Sequence, residues 1–243
     1  MFPLFDPMYF VILSPAIFLM MWAQWRIKSA YAEALQVPTQ MTGAQAARRI
    51  LDDAGLDYVE IEEVGGTLSD HYDPRAKVLR LSSDVYRTRS AAAVGIAAHE
   101  AGHALQDAHN YAPLVIRNMA VPAAQFGPMW FMAFLLLGML LPAFSESMAR
   151  AGWGQTFMWI AVGGFMAAAA FQIINLPVEF DASNRAKRLL TDMGVVDSYS
   201  GQAVANVLNA AAWTYVAGTL QAILVVVYWI IRLGLLNSHD RRD

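Results

Sequence analysis

The chain contains no cysteine. Disulfides and thiolate metal ligands are therefore excluded, and any metal site has to be built from His, Asp and Glu. Charge is scarce as well. Only 15% of the 243 residues are Asp, Glu, Lys or Arg, against 57% hydrophobic, which is above the usual range for a soluble domain. Four stretches carry no charged side chain at all: 7–25, 119–144, 156–174 and 214–231. Each is close to the roughly 20 residues that cross about 30 Å of hydrocarbon as a helix. They predict a multi-span protein seated in a lipid bilayer. The alternative is a set of buried core helices in a soluble enzyme, and it is strongest for the first and fourth stretches, where Gln24 and Gln221 sit in or beside the apolar run. The first stretch has no basic lead-in and no small-residue cleavage site, so it reads as an anchor with its N-terminus outside rather than a removable signal peptide. No basic cluster suggests nucleic acid, and a net charge of -3 singles out no partner.

The cations that do occur are unevenly placed. Segments 26–118 and 177–212 hold 13 of the 17 Lys and Arg residues, and the positive-inside bias puts both on the cytoplasmic side of the membrane. Arg150, Arg232, Arg241 and Arg242 fall on the other side. The last three argue mildly against four full crossings. In this arrangement stretches 119–144 and 156–174 form a hairpin, and the chain before it can meet the chain after it on one membrane face.

The polar segments have local signatures of their own. Thr42 can cap a helix over 42–54 whose apolar stripe is Ala46, Ala47, Ile50, Leu51 and Ala54, with Gly55 ending it. "YVEIEEV" at 58–64 and "KVLRLS" at 77–82 alternate like strands, separated by turns at "GG" and "DPRA". A further helix is expected from Ser90 through "AAAVGIAAHEAGHALQDA". The resulting division is an anchor at 1–28, a domain with a small sheet at 29–118, a hairpin at 119–176, a helical segment at 177–212 and a last membrane helix with its tail at 213–243.

That second polar helix carries the chemistry. His99 and His103 stand four apart, on one helical face, and two imidazoles at this spacing can bind one Zn²⁺. Zinc lowers the pKa of a bound water to about 7, and Glu100 is placed to take the proton. Ala101 and Gly102 leave room for a substrate backbone. This is the H-E-x-x-H pattern of zinc peptidases, and it is rare by chance in a chain with five histidines. The competing reading is a pair of histidines satisfied inside a helix bundle.

Two residues compete as third ligand. His109 has the metzincin spacing, but Gln106 stands where that pattern needs a glycine for a sharp turn. A helix continuing through Asp107 would point His109 away. Glu179, in "NLPVEFDASNRAKRLL", follows the third apolar stretch. Pro177 fits the start of a new helix there, capped by Asn175. A carboxylate from a second helix completes His₂Glu sites, so Glu179 is preferred. Otherwise it is an acid in a helix first turn, favoured by the dipole.

"LSDHYDPRAKVLRLS", "AAHEAGHALQ", "YAPLVIRN" and "LPVEFDASNRA" resemble the neutral zinc metallopeptidases of bacterial membranes, the YugP-like family, over about residues 40–212. The resemblance implies zinc as cofactor, His99, His103 and Glu179 as ligands, and Glu100 as base. It also implies a mainly α, multi-span membrane protein with a small α+β zincin-like metallopeptidase domain. The arrangement is similar to membrane gluzincins of the CAAX-prenyl and heat-shock type, which carry an Asp four residues after the ligand Glu. Here that position is Ser183, and the nearby acid is Asp181.

"DHYDP" at 70–74 is a second polar cluster. His71 or Tyr72 can donate to the oxyanion of peptide hydrolysis, or the segment is a turn built by Asp73 and Pro74. "VLRLS" beside it is expected to pair with an extended peptide. The reading these features favour is a membrane-anchored zinc endopeptidase acting on a peptide or membrane-protein substrate. The alternatives are an inactive zinc-binding scaffold, disfavoured by the retained Glu100, and an intramembrane protease, disfavoured because no Asp lies in any apolar stretch. Oligomeric state and any further membrane partner stay open.

Overall fold

The computed structural model describes residues 6–66, 69–144, 147 and 152–240. Arg150, Arg241 and Arg242, used above for topology, lie outside the described residues. The chain is mainly helical, with α1 (Pro7–Leu35), α2 (Gly43–Asp53), α3 (Ser83–Arg87), α4 (Ala91–Ala108), α5 (Ala112–Phe144), α6 (Trp153–Asp192) and α7 (Ser198–Asp240), and one small sheet of β1 (Glu60–Val64), β2 (His71–Asp73) and β3 (Val78–Ser82). Among the described residues three helical stretches are long and apolar enough to cross a membrane: Pro7–Leu35, Trp153–Asp192 and Ser198–Gly234. The stretch expected at 119–144 lies in α5. Several of its side chains are outside the described ones, and Met129–Leu140 is its described apolar part.

Two compact units divide the chain. One comprises residues up to Met20, Ile116–Ile174 and from Val216 on; the other comprises Met21–Val115 and Asn175–Tyr215. Helices α1, α6 and α7 each contribute one half to each unit. The core of the first unit gathers Leu13, Leu135, Val162, Tyr228 and Leu233. Within it Asp6 accepts from the backbone N–H of Met8 at 3.0 Å and from the Tyr228 hydroxyl at 2.9 Å, and Arg232 lies 3.7 Å away.

The second unit is built around a core that includes Ile50, Leu51, Leu79, Leu81, Val94, Leu190 and Leu208. Helix α2 forms as its sequence indicates. Thr42 and Gln45 make a reciprocal capping box, and Ala46, Ala47, Ile50 and Leu51 are buried. Ala54 is exposed, because the helix has ended and Gly55 has turned to φ +68°, a conformation that needs glycine. Strand β3 is central. It pairs in parallel with β1 from Glu60↔Val78 to Val64↔Ser82, and antiparallel with β2 at His71↔Arg80, Tyr72↔Leu79 and Asp73↔Val78.

Three sequence expectations change. "VLRLS" cannot receive an extended peptide, since both its edges are already paired. "DHYDP" is a short strand running into a turn, where Asp73 Oδ1 accepts from the N–H groups of Arg75 (2.9 Å) and Ala76 (3.1 Å); the turn signal hid the strand. Pro177 does not begin a helix but lies inside α6. Proline fits helical φ equally well at the start and in the interior, at the cost of one backbone hydrogen bond. Neighbouring helical turns and burial of Val178, Ala182 and Ala186 offset that cost here.

Candidate metal centre

Helix α4 presents the site. Ser90 caps it by accepting from the Ala93 N–H at 3.2 Å, and the run of buried alanines from Ala91 to Ala104 lets neighbouring helices come close. Helix α6 comes close at Gly102. A Cβ there would stand 2.8 Å from the Ala182 carbonyl oxygen and 3.2 Å from its Cα. These are backbone atoms of α6, so the helices would have to separate. This crossing sets Glu179 and Ser183, one turn apart on α6, against His99 and His103, one turn apart on α4. Gly102→Ala is expected to lower stability by about 1–3 kcal/mol and to weaken metal binding in the same protein. Chemical denaturation followed beside a zinc titration checks both.

The two imidazoles meet edge to face, with ring centroids 4.8 Å apart. Glu179 Oε2 is 3.3 Å from His99 Nε2 and 3.6 Å from His103 Nε2. One donor atom from each of the three residues lies within 4.8 Å of the others, so the residues could hold a single ion. All three side chains are nearly out of solvent: 13%, 10% and 5% exposed for His99, His103 and Glu179. Burial opposes the charge of Glu179, but the two histidines outweigh it and hold the carboxyl well below the ordinary carboxylate range. Burial likewise opposes protonation of His103, yet Glu179, with help from Glu100 and Gln106, raises its pKa. The pocket thus favours positive charge beside Glu179, which a divalent cation supplies.

The outer nitrogens are also satisfied, which is a stronger sign of fit. His99 Nδ1 lies 3.1 Å from Ser183 Oγ and His103 Nδ1 lies 3.0 Å from Gln106 Oε1. With Nδ1–H donating to those oxygens, both Nε2 lone pairs face the centre, as metal-ligating histidines require. Gln106 is fully buried, and its amide nitrogen donates to the Val178 carbonyl (2.8 Å) and to Asp181 Oδ2 (2.9 Å). Asp181 in turn accepts from Arg185 at 2.6 Å. Ser183 and Asp181 therefore divide the support, one directly on His99 and the other through Gln106 on His103. Sequence reasoning missed Gln106 and noted it only as a departure from a metzincin glycine. Its position three after His103, on the same helical face, was the available signal. Gln106→Ala is expected to weaken zinc binding by about 10–100-fold, the usual effect of losing such a partner. A chelator-competition titration with circular dichroism as a fold control measures it.

His109 is outside the cluster. It caps α4, with Nδ1 donating to the Leu105 carbonyl at 2.7 Å. Asn110 at φ 50° then turns the chain away. Glu100 Oε2 accepts from the backbone N–H of Tyr72 at 3.1 Å. The Tyr72 hydroxyl donates to Asp107 Oδ2 at 2.8 Å, so one residue of β2 grips α4 at two points two turns apart. Burial first, and then Asp107, raise the Tyr72 pKa and keep the phenol protonated. His71 is exposed and donates from Nδ1 to the Ser69 carbonyl at 2.8 Å. Because side chains alternate along a strand, it faces away from Tyr72, on the side of its partner Arg80.

A helical membrane protein with a buried His₂Glu cluster beside a carboxylate is the class these observations define. A family profile described as "Putative neutral zinc metallopeptidase" matches residues 9–234. The chain is 39% identical over 240 residues, 96% of its own length and 99% of the relative's, to the "Putative membrane protease YugP" of Bacillus subtilis (strain 168). No solved structure matches. The chain belongs to this zinc metallopeptidase family, its cofactor is zinc, and His99, His103 and Glu179 could bind the ion.

Proposed function

We propose that the chain is a membrane-anchored zinc endopeptidase in which Glu100 is the general base. The observation that carries this reading is the convergence of His99, His103 and Glu179 next to a carboxylate held by a backbone N–H. Bound zinc would supply Lewis-acid activation of water and of the scissile carbonyl. Glu100 removes the proton from the attacking water and passes it to the leaving amine. The Tyr72 N–H fixes Glu100 Oε2 and leaves Oε1 for that exchange. Ser183 and Gln106 keep the two imidazoles in the tautomer that ligates. Tyr72 takes precedence over His71 as oxyanion donor, since it lies on the α4 side of β2 and its hydroxyl stays protonated. To act, that hydroxyl turns from Asp107 toward the substrate.

We read the sheet with α2–α4 and the second half of α6 as a zincin-like domain, because an H-E-x-x-H helix packs on a small sheet and receives its third ligand from a later helix. The cytoplasmic side of the bacterial inner membrane is supported by the concentration of Lys and Arg in the segments that build the second unit. Zinc-loaded, detergent-solubilised full chain should cleave an unfolded protein such as casein at internal bonds. It should stop when zinc is chelated and recover when zinc is restored. Cleavage that persists in the metal-free protein would refute the reading.

A further inference from the structure

A cavity of about 320 Å³ opens beside the reactive end of the site, with His99, Glu100 and Ser183 in its wall. It lies wholly within the unit that holds the candidate metal centre. At about 30 Å³ per water, its size is on the order of ten water volumes, enough for one large side chain. Ile96 lies one turn before both His99 and Glu100 on α4, so the cavity runs from the reacting groups toward that helix's N-terminus. Ile27 of α1 and Val207, Leu208 and Ala211 of α7 supply further apolar wall. The α1 residues recur at 24, 27, 28 and 31, the spacing of one helical face. The polar rim offers both a cation, Lys28, and an acid, Asp70. Asp70 is already engaged, accepting from the Ser82 N–H at 2.8 Å and from its hydroxyl, so the rim selects neither sign of charge.

We infer that this cavity is the specificity pocket, receiving a large apolar side chain such as Leu, Met or Phe from a residue flanking the scissile bond. The inference rests on the peptidase reading above. It assigns selectivity to the membrane-anchor helix α1 and to α7, not only to the helix that carries the motif. Ala211 is the residue to change, since it is the smallest residue of the wall, and a ring at that position would occupy the space.

The test uses full-length protein in detergent and three peptides that differ only in Ala, Leu or Phe, placed in turn at each residue flanking the cleaved bond. Cleavage is compared by kcat/KM, and binding of the same peptides to zinc-loaded Glu100→Gln is compared by fluorescence polarisation. A preference of at least about 10-fold for Leu or Phe over Ala is expected at one position. Ala211→Phe should bring it close to unity, with zinc content and turnover of the Ala peptide unchanged. Leu208→Ala, which widens the same wall, should instead move the preference toward Phe over Leu. Equal use of the three peptides by the wild type, or a strong preference that neither variant moves, would overturn the pocket assignment. If no peptide is cleaved, the peptidase reading fails, and the binding series still decides the pocket: apolar-selective binding lost in an Ala211→Phe, Glu100→Gln double variant supports it, and equal binding refutes it.

Discussion

Glu100→Gln is expected to slow peptide hydrolysis by about 10²–10⁴-fold, the usual contribution of a positioned general base, while leaving zinc bound. Glutamine matches glutamate in shape and keeps a carbonyl oxygen to receive the Tyr72 N–H, which now reaches Glu100 Oε2 at 3.1 Å. It cannot take a proton from water. The loss should therefore fall on kcat, with KM little changed, because Glu100 is asked to act on the reacting proton rather than to bind the peptide. A variant that lost both activity and zinc would place Glu100 among the groups that hold the ion. A variant that kept the wild-type rate would remove it from the mechanism altogether.

Glu179→Ala is expected to release zinc from the purified protein, and the effect should exceed the 10–100-fold typical of an outer partner. Glu179 faces both imidazoles within 3.6 Å and is the acid of the cluster. Without it, two imidazoles are left as the only remaining ligands of the cluster. Because zinc binds only the folded chain's assembled site, it should raise the wild-type melting temperature, by mass action, and leave that of Glu179→Ala almost unmoved. His109→Ala should behave as wild type in both assays, since its ring is tied to the Leu105 carbonyl. Elemental analysis and thermal melts with and without added zinc separate the three proteins.

Much of the site could be read before any fold was known, and for a local reason. His99, Glu100 and His103 belong to one helical turn, so their relation is fixed by helix geometry alone. The Thr42 cap and the end of α2 at Gly55 were legible on the same grounds. Glu179 was reachable because two charge-free stretches imply a hairpin that returns the chain. What surrounds it was not. Gln106 acquires its part only when α4 crosses α6 at Gly102 and Ala182, and no sequence spacing encodes a crossing between residues 80 apart. Strand β2 was hidden because Asp73 and Pro74 advertise a turn more strongly than three residues can advertise a strand. The same shortness left "VLRLS" looking like an open edge when it is the paired centre of the sheet. Pro177 misled for a chemical reason: its φ suits a helix at the first position and in the interior alike, and only packing decides between them.

The most direct single measurement is X-ray absorption at the zinc edge of the purified full chain in detergent. Two imidazoles with carboxylate oxygen, and a coordination shell the protein does not close by itself, are the predicted result. A third imidazole, a shell closed by four protein ligands, or a folded chain that takes up no zinc would contradict it.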